Sequence, residues 1–296
     1  MKIMNLAALA TLLGTLTFMS CTKPTDPNTT GNLTLNLSNL EDLGNDYAYE
    51  GWIMVNGAPQ STGTFRVDAT GTLSQTNFEV DQAALDQATA FILTIEPSPD
   101  SDPAPSAVKI LAGDFNGGDA TLRVDDSRAL GTDFGSATGR YILATPTDGN
   151  SQDETSGAWF LDNSTGSPVA GLSLPTLPAG WQYEGWAGIN GTPVTTGTFT
   201  DPAAADASAP FSGTVAAGPA FPGEDFIQNA PAGLTFPLDL SSQKIVVSVE
   251  PVPDNSPAPF LLKPLVGDVP ANATDRTVYT LLNNATATNP TGSISR

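Results

Sequence analysis

The chain contains no histidine and only one cysteine. Without histidine it lacks the commonest general base and a common metal-ligating side chain. A Ser-His-Asp triad, a Cys-His pair and an ordinary zinc site are therefore excluded. A lone cysteine excludes an internal disulfide. Basic residues are few as well: 11 Lys and Arg stand against 31 Asp and Glu, a formal charge of -20. Such a surface repels phosphates, so no nucleic-acid partner is expected. Glu is scarce at 8 residues against 23 Asp, and Asp belongs to turns more than to helices. No GxxxxGK[ST] loop and no GxGxxG segment leading into a helix occurs, which argues against a phosphate-cradling nucleotide site. Beyond the first twenty residues, no apolar run approaches the ~20 residues that a membrane-spanning helix needs.

What the chain does have is 28 Gly and 25 Pro, spread between short apolar runs. That composition suits many short strands joined by tight turns. The 296 residues allow roughly two domains of ordinary size, and an internal repeat points the same way. YEGWIMVNGAPQSTGTF (residues 49–65) returns as YEGWAGINGTPVTTGTF (183–199), with eleven of seventeen positions identical at an offset of 134. A second pair, EPSPDSDPAP (96–105) and EPVPDNSPAP (250–259), shares seven of ten residues at an offset of 154. The change of offset places a 20-residue insertion in the second copy, within the Ala/Gly/Pro-rich run 202–231, which reads as a surface loop. The period is far too long for a solenoid. The expected fold is all-β: two tandem antiparallel β-sandwich (Ig-like) domains from an internal duplication, at 32–164 and 165–296.

Strand signals fill both copies. LTLNLSNL (33–40) alternates Leu with polar residues, as a half-buried strand does. YEGWIMV places Tyr49, Gly51, Ile53 and Val55 on one face, and Asn56-Gly57 then signals a type I′ hairpin, as does Asn190-Gly191. FILTI (91–95) and KIVVSV (244–249) read as central strands. RYILATPT (140–147) and GAWFLD (157–162) read as a hairpin. VDQAALDQAT (80–89) is the one expected short helix.

Most repeated positions have structural uses. Trp52 and Trp186 are expected in the core beneath the Asn-Gly hairpins. Gly57, Gly63, Gly191 and Gly197 are expected at turns or bulges. Glu96 and Glu250 end apolar strands just before proline-rich loops opened by Pro97 and Pro251. They are expected to accept loop N–H bonds; ligation of a cation together with Asp100 and Asp102 is the competing use. The only repeated carboxylate candidates are Glu50 and Glu184, Glu96 and Glu250, and Asp100 and Asp254. A glycosidase pair built twice over in this way is an improbable design, so no catalytic residue is assigned and no enzyme activity is expected. DFNGGD (114–119) and DGNSQDE (148–154) hold calcium-type ligands without an EF-hand pattern and read as solvated turns. No cofactor and no metal are expected.

At the amino-terminal side, Lys2 and the apolar stretch Ile3–Met19 fit a signal peptide over 1–20. LTFMSC, ending at Cys21, resembles a bacterial lipoprotein signal, although Phe18 and Met19 replace the usual Leu and small residue. The resemblance implies acylation of Cys21, with 21–31 as a polar tether. The ordered strings also resemble a known family. A Tyr-x-x-Trp strand, a Gly turn, a Gly-x-Phe return and a Thr-x-Glu-Pro strand end are similar to the C-terminal domain of anti-sigma-K factors. Tyr49, Trp52, Gly63, Phe65, Thr94, Glu96 and Pro97 carry the match in the first copy. Tyr183, Trp186, Gly197, Phe199, Glu250 and Pro251 carry it in the second, with Ser248 in place of the threonine. In that family the domain is the extracytoplasmic part of a membrane-bound regulator. The chain shows neither a His/Cys zinc motif nor a helical sigma-binding domain, so the resemblance implies the outer half alone. The expected protein is a lipid-anchored lipoprotein of the cell envelope, periplasmic or surface-facing on the outer membrane. Its expected role is sensing or interaction with an envelope protein partner. A carbohydrate- or calcium-binding adhesion module is the alternative.

Overall fold

The structure, a computed structural model, describes residues 29–254 and 256–296. The signal-peptide reading (1–20), Cys21 and most of the tether lie outside the described residues; Thr30 and Gly31, at the tether's end, already belong to a strand. The first run of elements is β1 (Thr30–Ser38), β2 (Tyr47–Val55), β3 (Ala58–Phe65), β4 (Asn77–Asp81), α1 (Gln82–Gln87), β5 (Ala88–Pro97), β6 (Lys109–Asn116) and β7 (Asp119–Leu122). Next come β8 (Thr138–Leu143), β9 (Gly157–Trp159), β10 (Leu161–Asp162), β11 (Val169–Ala170) and β12 (Leu172–Ser173). The last run is β13 (Trp181–Ile189), β14 (Thr192–Phe199), β15 (Gly223–Asp225), β16 (Lys244–Pro251), β17 (Leu265–Asp268), β18 (Tyr279–Asn283), α2 (Ala285–Thr288) and β19 (Thr291–Ser295). No helix among the described residues is long and apolar enough to cross a membrane.

Local chemistry explains these elements. In β1 the buried residues are Leu33, Leu35 and Leu37, the apolar set of its period-two pattern. Asp81 caps α1 by accepting from Ala84 N at 2.8 Å. Asn56 and Gly57 both take positive φ (52° and 80°), as do Asn190 and Gly191 (50° and 83°), the requirement of a type I′ turn. Pairing of β2 with β3 slips between Gly51 and Trp52, and that of β13 with β14 slips between Gly185 and Trp186. Thr62 and Thr196 are the extra residues of these two bulges. Glycine is required on the opposing strand because the bulge threonine and an aromatic ring fill the space: a Cβ on Gly51 would lie 2.5 Å from Thr62 Oγ1 and 2.6 Å from Phe91 Cζ, and one on Gly185 would lie 2.2 Å from Thr196 Oγ1 and 2.5 Å from Phe160 Cε2.

The all-β expectation holds: two antiparallel bodies form, each a sheet curled into a barrel-like sandwich. Their strand orders are β3-β2-β5-β6-β7-β19-β1-β4 and β14-β13-β16-β17-β18-β8-β9-β15. Read place by place, the orders correspond, with β8 and β19 exchanged. Each opens on Thr-Gly, and each follows the strand that corresponds to β7 or β18 in its own repeat. Yet β8 pairs with β18 and β9 in the second body, while β19 pairs with β7 and β1 in the first. Sheet membership therefore does not divide at 164/165. The hairpin read at 140–162 does form, through Ile142↔Trp159 and Leu143↔Ala158, but it belongs to the second body.

Two further placements refine the expectation. Trp52 and Trp186 are buried as expected, each 3% exposed, but outside the largest core cluster. Trp52 packs with Ile92, Ala112 and Ala129 in a separate cluster. Tyr49 and Tyr183 are the inward-facing aromatics, stacked on Phe65 and Phe199 with ring centroids 5.4 and 5.7 Å apart. The region 202–231 is also more than a surface loop. It contributes β15, which pairs with β9, and the fully buried Phe226, whose ring lies 5.9 Å from that of Phe211.

Candidate functional site

The repeated residues form the same tryptophan-to-hydroxyl bond on each sheet. In the first body Trp52 Nε1 donates to Thr94 Oγ1 at 2.9 Å, and in the second Trp186 Nε1 donates to Ser248 Oγ at 2.8 Å. Ser248 passes a bond on to Glu250 Oε1. One carboxylate oxygen of each strand-end glutamate accepts a backbone N–H ten residues on: Ser106 N to Glu96 Oε1 and Phe260 N to Glu250 Oε1, both 2.9 Å. This is the loop-capping role expected of Glu96 and Glu250. The other repeated glutamates are held from the hairpin return strand, Glu50 by Ser61 and Glu184 by Thr195.

The remaining motif residues have local roles. Gly63 and Gly197 have φ of 116° and 113° beside the bulges, and Pro97 and Pro251 close β5 and β16. Tyr49 Oη donates to Glu41 O at 3.0 Å, and Tyr183 Oη donates to Pro175 O at 2.6 Å, each eight residues back.

The two copies differ in their carboxylates. Asp100 and Asp102 cap turns by accepting from Asp102 N and Ala104 N. In the second body one oxygen each of Glu184, Glu250 and Asp254 lies within 4.8 Å of the others. Burial pushes Glu250 up to about 8 and Glu184 up to about 7. Glu184 Oε2 and Glu250 Oε2 are buried and accept from no N–H or hydroxyl.

Beside this group lies a cavity of about 290 Å³ at the seam of the two bodies, lined among others by Glu41, Tyr47, Ile95, Glu250, Asp254 and Phe260. Glu41 of the first body accepts from Leu261 N of the second, and burial pushes its carboxyl up to about 7. Burial pushes the Lys263 ammonium down, against the attraction of Glu41 and Glu250. The loops 114–119 and 148–154 contain no comparable cluster among the described residues. Asp114 pairs with Arg128, Glu154 pairs with Arg276, and Asp148 accepts from Asn150 N.

Sequence reasoning missed a second acidic group, at β15. Glu224 accepts from Ser212 Oγ, Asp225 accepts from Thr147 N and Oγ1 at 2.9 and 2.7 Å, and Asp206 accepts from Gly223 N at 2.9 Å. The signal was present as GED (223–225) set between Phe221 and Phe226. Burial pushes Glu224 up to about 7 and Asp206 up to about 6. Glu224 thus keeps its proton in the folded chain over a pH range where the unfolded chain, with a carboxyl near 4.5, has released it. That contribution to stability is complete below about pH 4.5 and is lost as pH rises through about 7. Glu224→Gln removes the titration. It is expected to flatten the fall in unfolding free energy between pH 5 and pH 8 by on the order of 2 kcal/mol. Urea unfolding at the two pH values measures this, and an unchanged slope would refute the assignment.

Residues 23–109 match the family model described as Anti-sigma-K factor rskA, C-terminal. The match runs from ahead of β1 through β5 to the first residue of β6, and it contains Tyr49, Trp52, Gly63, Phe65, Glu96 and Pro97. Comparison with curated proteins gives no significant match, and comparison with solved structures gives none. The first repeat thus carries an anti-sigma-K C-terminal domain signature on a β body.

Proposed function

We propose that the chain is a lipid-anchored, non-enzymatic protein of the cell envelope whose two anti-sigma-K-like bodies act by contact, in sensing or in binding an envelope protein. The observation that carries the reading is the family match at 23–109 on a β body whose motif registers recur in the second body: Tyr49↔Phe65 and Tyr183↔Phe199, Gly51↔Gly63 and Gly185↔Gly197. The chemistry common to these two sets is packing and hydrogen bonding: stacked rings, Trp-to-hydroxyl bonds and capped loops. The signal-like stretch before Cys21 supplies the argument for a lipid anchor. The sigma-binding function of the family's other half is no part of the proposal.

Detergent phase partition of cell extracts tests the anchor. The wild-type chain is expected in the detergent phase and Cys21→Ala in the aqueous phase. A variant that stays with membranes and detergent would remove acylation of Cys21 from the reading.

A further inference from the structure

We infer that Glu184, Glu250 and Asp254 form a site for one hard divalent cation, calcium, at the seam of the two bodies. The clustering of three acids is the first observation, with one oxygen of each within 4.8 Å of the others. The second is independent of it. Glu184 and Glu250 are 5% and 0% exposed, and each is fixed through Oε1 by protein donors, Thr195 for one, Ser248 and Phe260 N for the other. Their Oε2 atoms are left buried without a bond from any N–H or hydroxyl, and beside Glu184 stands only the carboxyl of Asp254. A buried carboxylate oxygen without a partner is costly, and a cation is the partner that three such groups share.

The chemistry selects the ion. All the candidate donors are oxygens, which favours a hard cation over zinc or copper. Calcium binds oxygen at roughly 2.3–2.6 Å, so ligands on opposite sides of it lie about 4.8 Å apart, the outer limit of this cluster. Magnesium's shorter bonds and near-ideal octahedron suit a strand-fixed pair of carboxylates less well. Glu184 and Glu250 come from neighbouring strands, β13 and β16, so they are held rigidly. Asp254 comes from the loop after β16 and is half-buried, and the 290 Å³ cavity that it lines with Glu250 supplies room for water ligands beside these two residues. The basic group acting on Glu250 is Lys263, which also faces Glu41.

The first repeat provides the control. Glu50, Glu96 and Asp100 occupy the corresponding sequence positions but do not gather into such a cluster. Terbium bound at the site is expected to emit on excitation of tryptophan, with calcium displacing it at a stoichiometry of one. About 1 mM calcium is expected to raise the melting temperature of the full chain by about 5 °C over the same sample in chelator. Glu250→Gln and Glu184→Gln are each expected to weaken binding at least about tenfold, while Glu96→Gln leaves it unchanged. Terbium emission reports binding directly, so a variant of altered stability still gives an answer. The inference is overturned if calcium neither displaces terbium nor shifts the melt, if magnesium binds in its place, or if Glu250→Gln binds as the wild type does.

Discussion

A chain cut after Pro290 is expected to lose its cooperative thermal transition or to melt at least 15 °C lower, by roughly 5 kcal/mol or more of lost stability. The reason lies in where β19 sits. It is an interior strand of the first sheet, in register with β1 over Thr34↔Ser295 to Ser38↔Thr291 and with β7 over Gly292↔Leu122 to Ser295↔Asp119. Its removal strands the hydrogen-bonding groups of both neighbours, at a net cost of about 1 kcal/mol for each bond. It also uncovers Ile294, which is 1% exposed. Arg296 adds to the attachment: it donates to Ala88 O at 2.8 Å and Gly117 O at 3.1 Å and lies 4.2 Å above the Phe115 ring. Hydrogen exchange followed strand by strand checks the origin of the loss, which should fall on β1 and β7 before β13 and β16. A truncated chain melting within about 3 °C of the intact one would show that β19 is dispensable and that the exchange of strands carries no stability.

The second large effect is expected at the stacked tyrosines. Tyr49→Ala and Tyr183→Ala should each cost about 3–5 kcal/mol, because each deletes a fully buried ring from the main core and leaves a cavity against Phe65 or Phe199. The phenylalanine variants should cost only about 1 kcal/mol, the worth of the hydroxyl bonds. Tyr49→Phe should be the worse of the two, because Tyr49 Oη both donates to Glu41 O and accepts from Glu41 N, and Glu41 in turn holds Leu261 of the other body. Urea unfolding ranks the four variants. An alanine variant costing under about 1 kcal/mol would mean that the ring is not packed as described.

Much of this fold was legible in the sequence, and the residues show why. The Leu alternation of β1, the Asn-Gly turns and the apolar runs of β5 and β16 are local signals, and local signals report strand, phase and turn. They do not report the partner. β8 and β19 would read the same way in either sheet, so their exchange could not be seen from periodicity. That the tryptophans would be buried was legible, but which side of the sheet they fill was not, for a related reason. Ala48 through Ile53 are all buried, so β2 is covered on both faces and its pattern does not say which face meets the main core. The capping role of Glu96 and Glu250 was legible because a carboxylate ahead of a proline-rich loop has few other uses. The convergence of Glu184, Glu250 and Asp254 was not, because it depends on the diagonal pairing of β13 with β16.

The position of β1 has a mechanical consequence. A chain held by residues ahead of Thr30 feeds any pull directly into that strand, which lies antiparallel between β19 and β4. Tension along its axis shears both ladders at once, so their bonds must yield together instead of one after another as in a peeled edge. For a chain tethered there, the first load would thus fall on the β1–β19 and β1–β4 ladders.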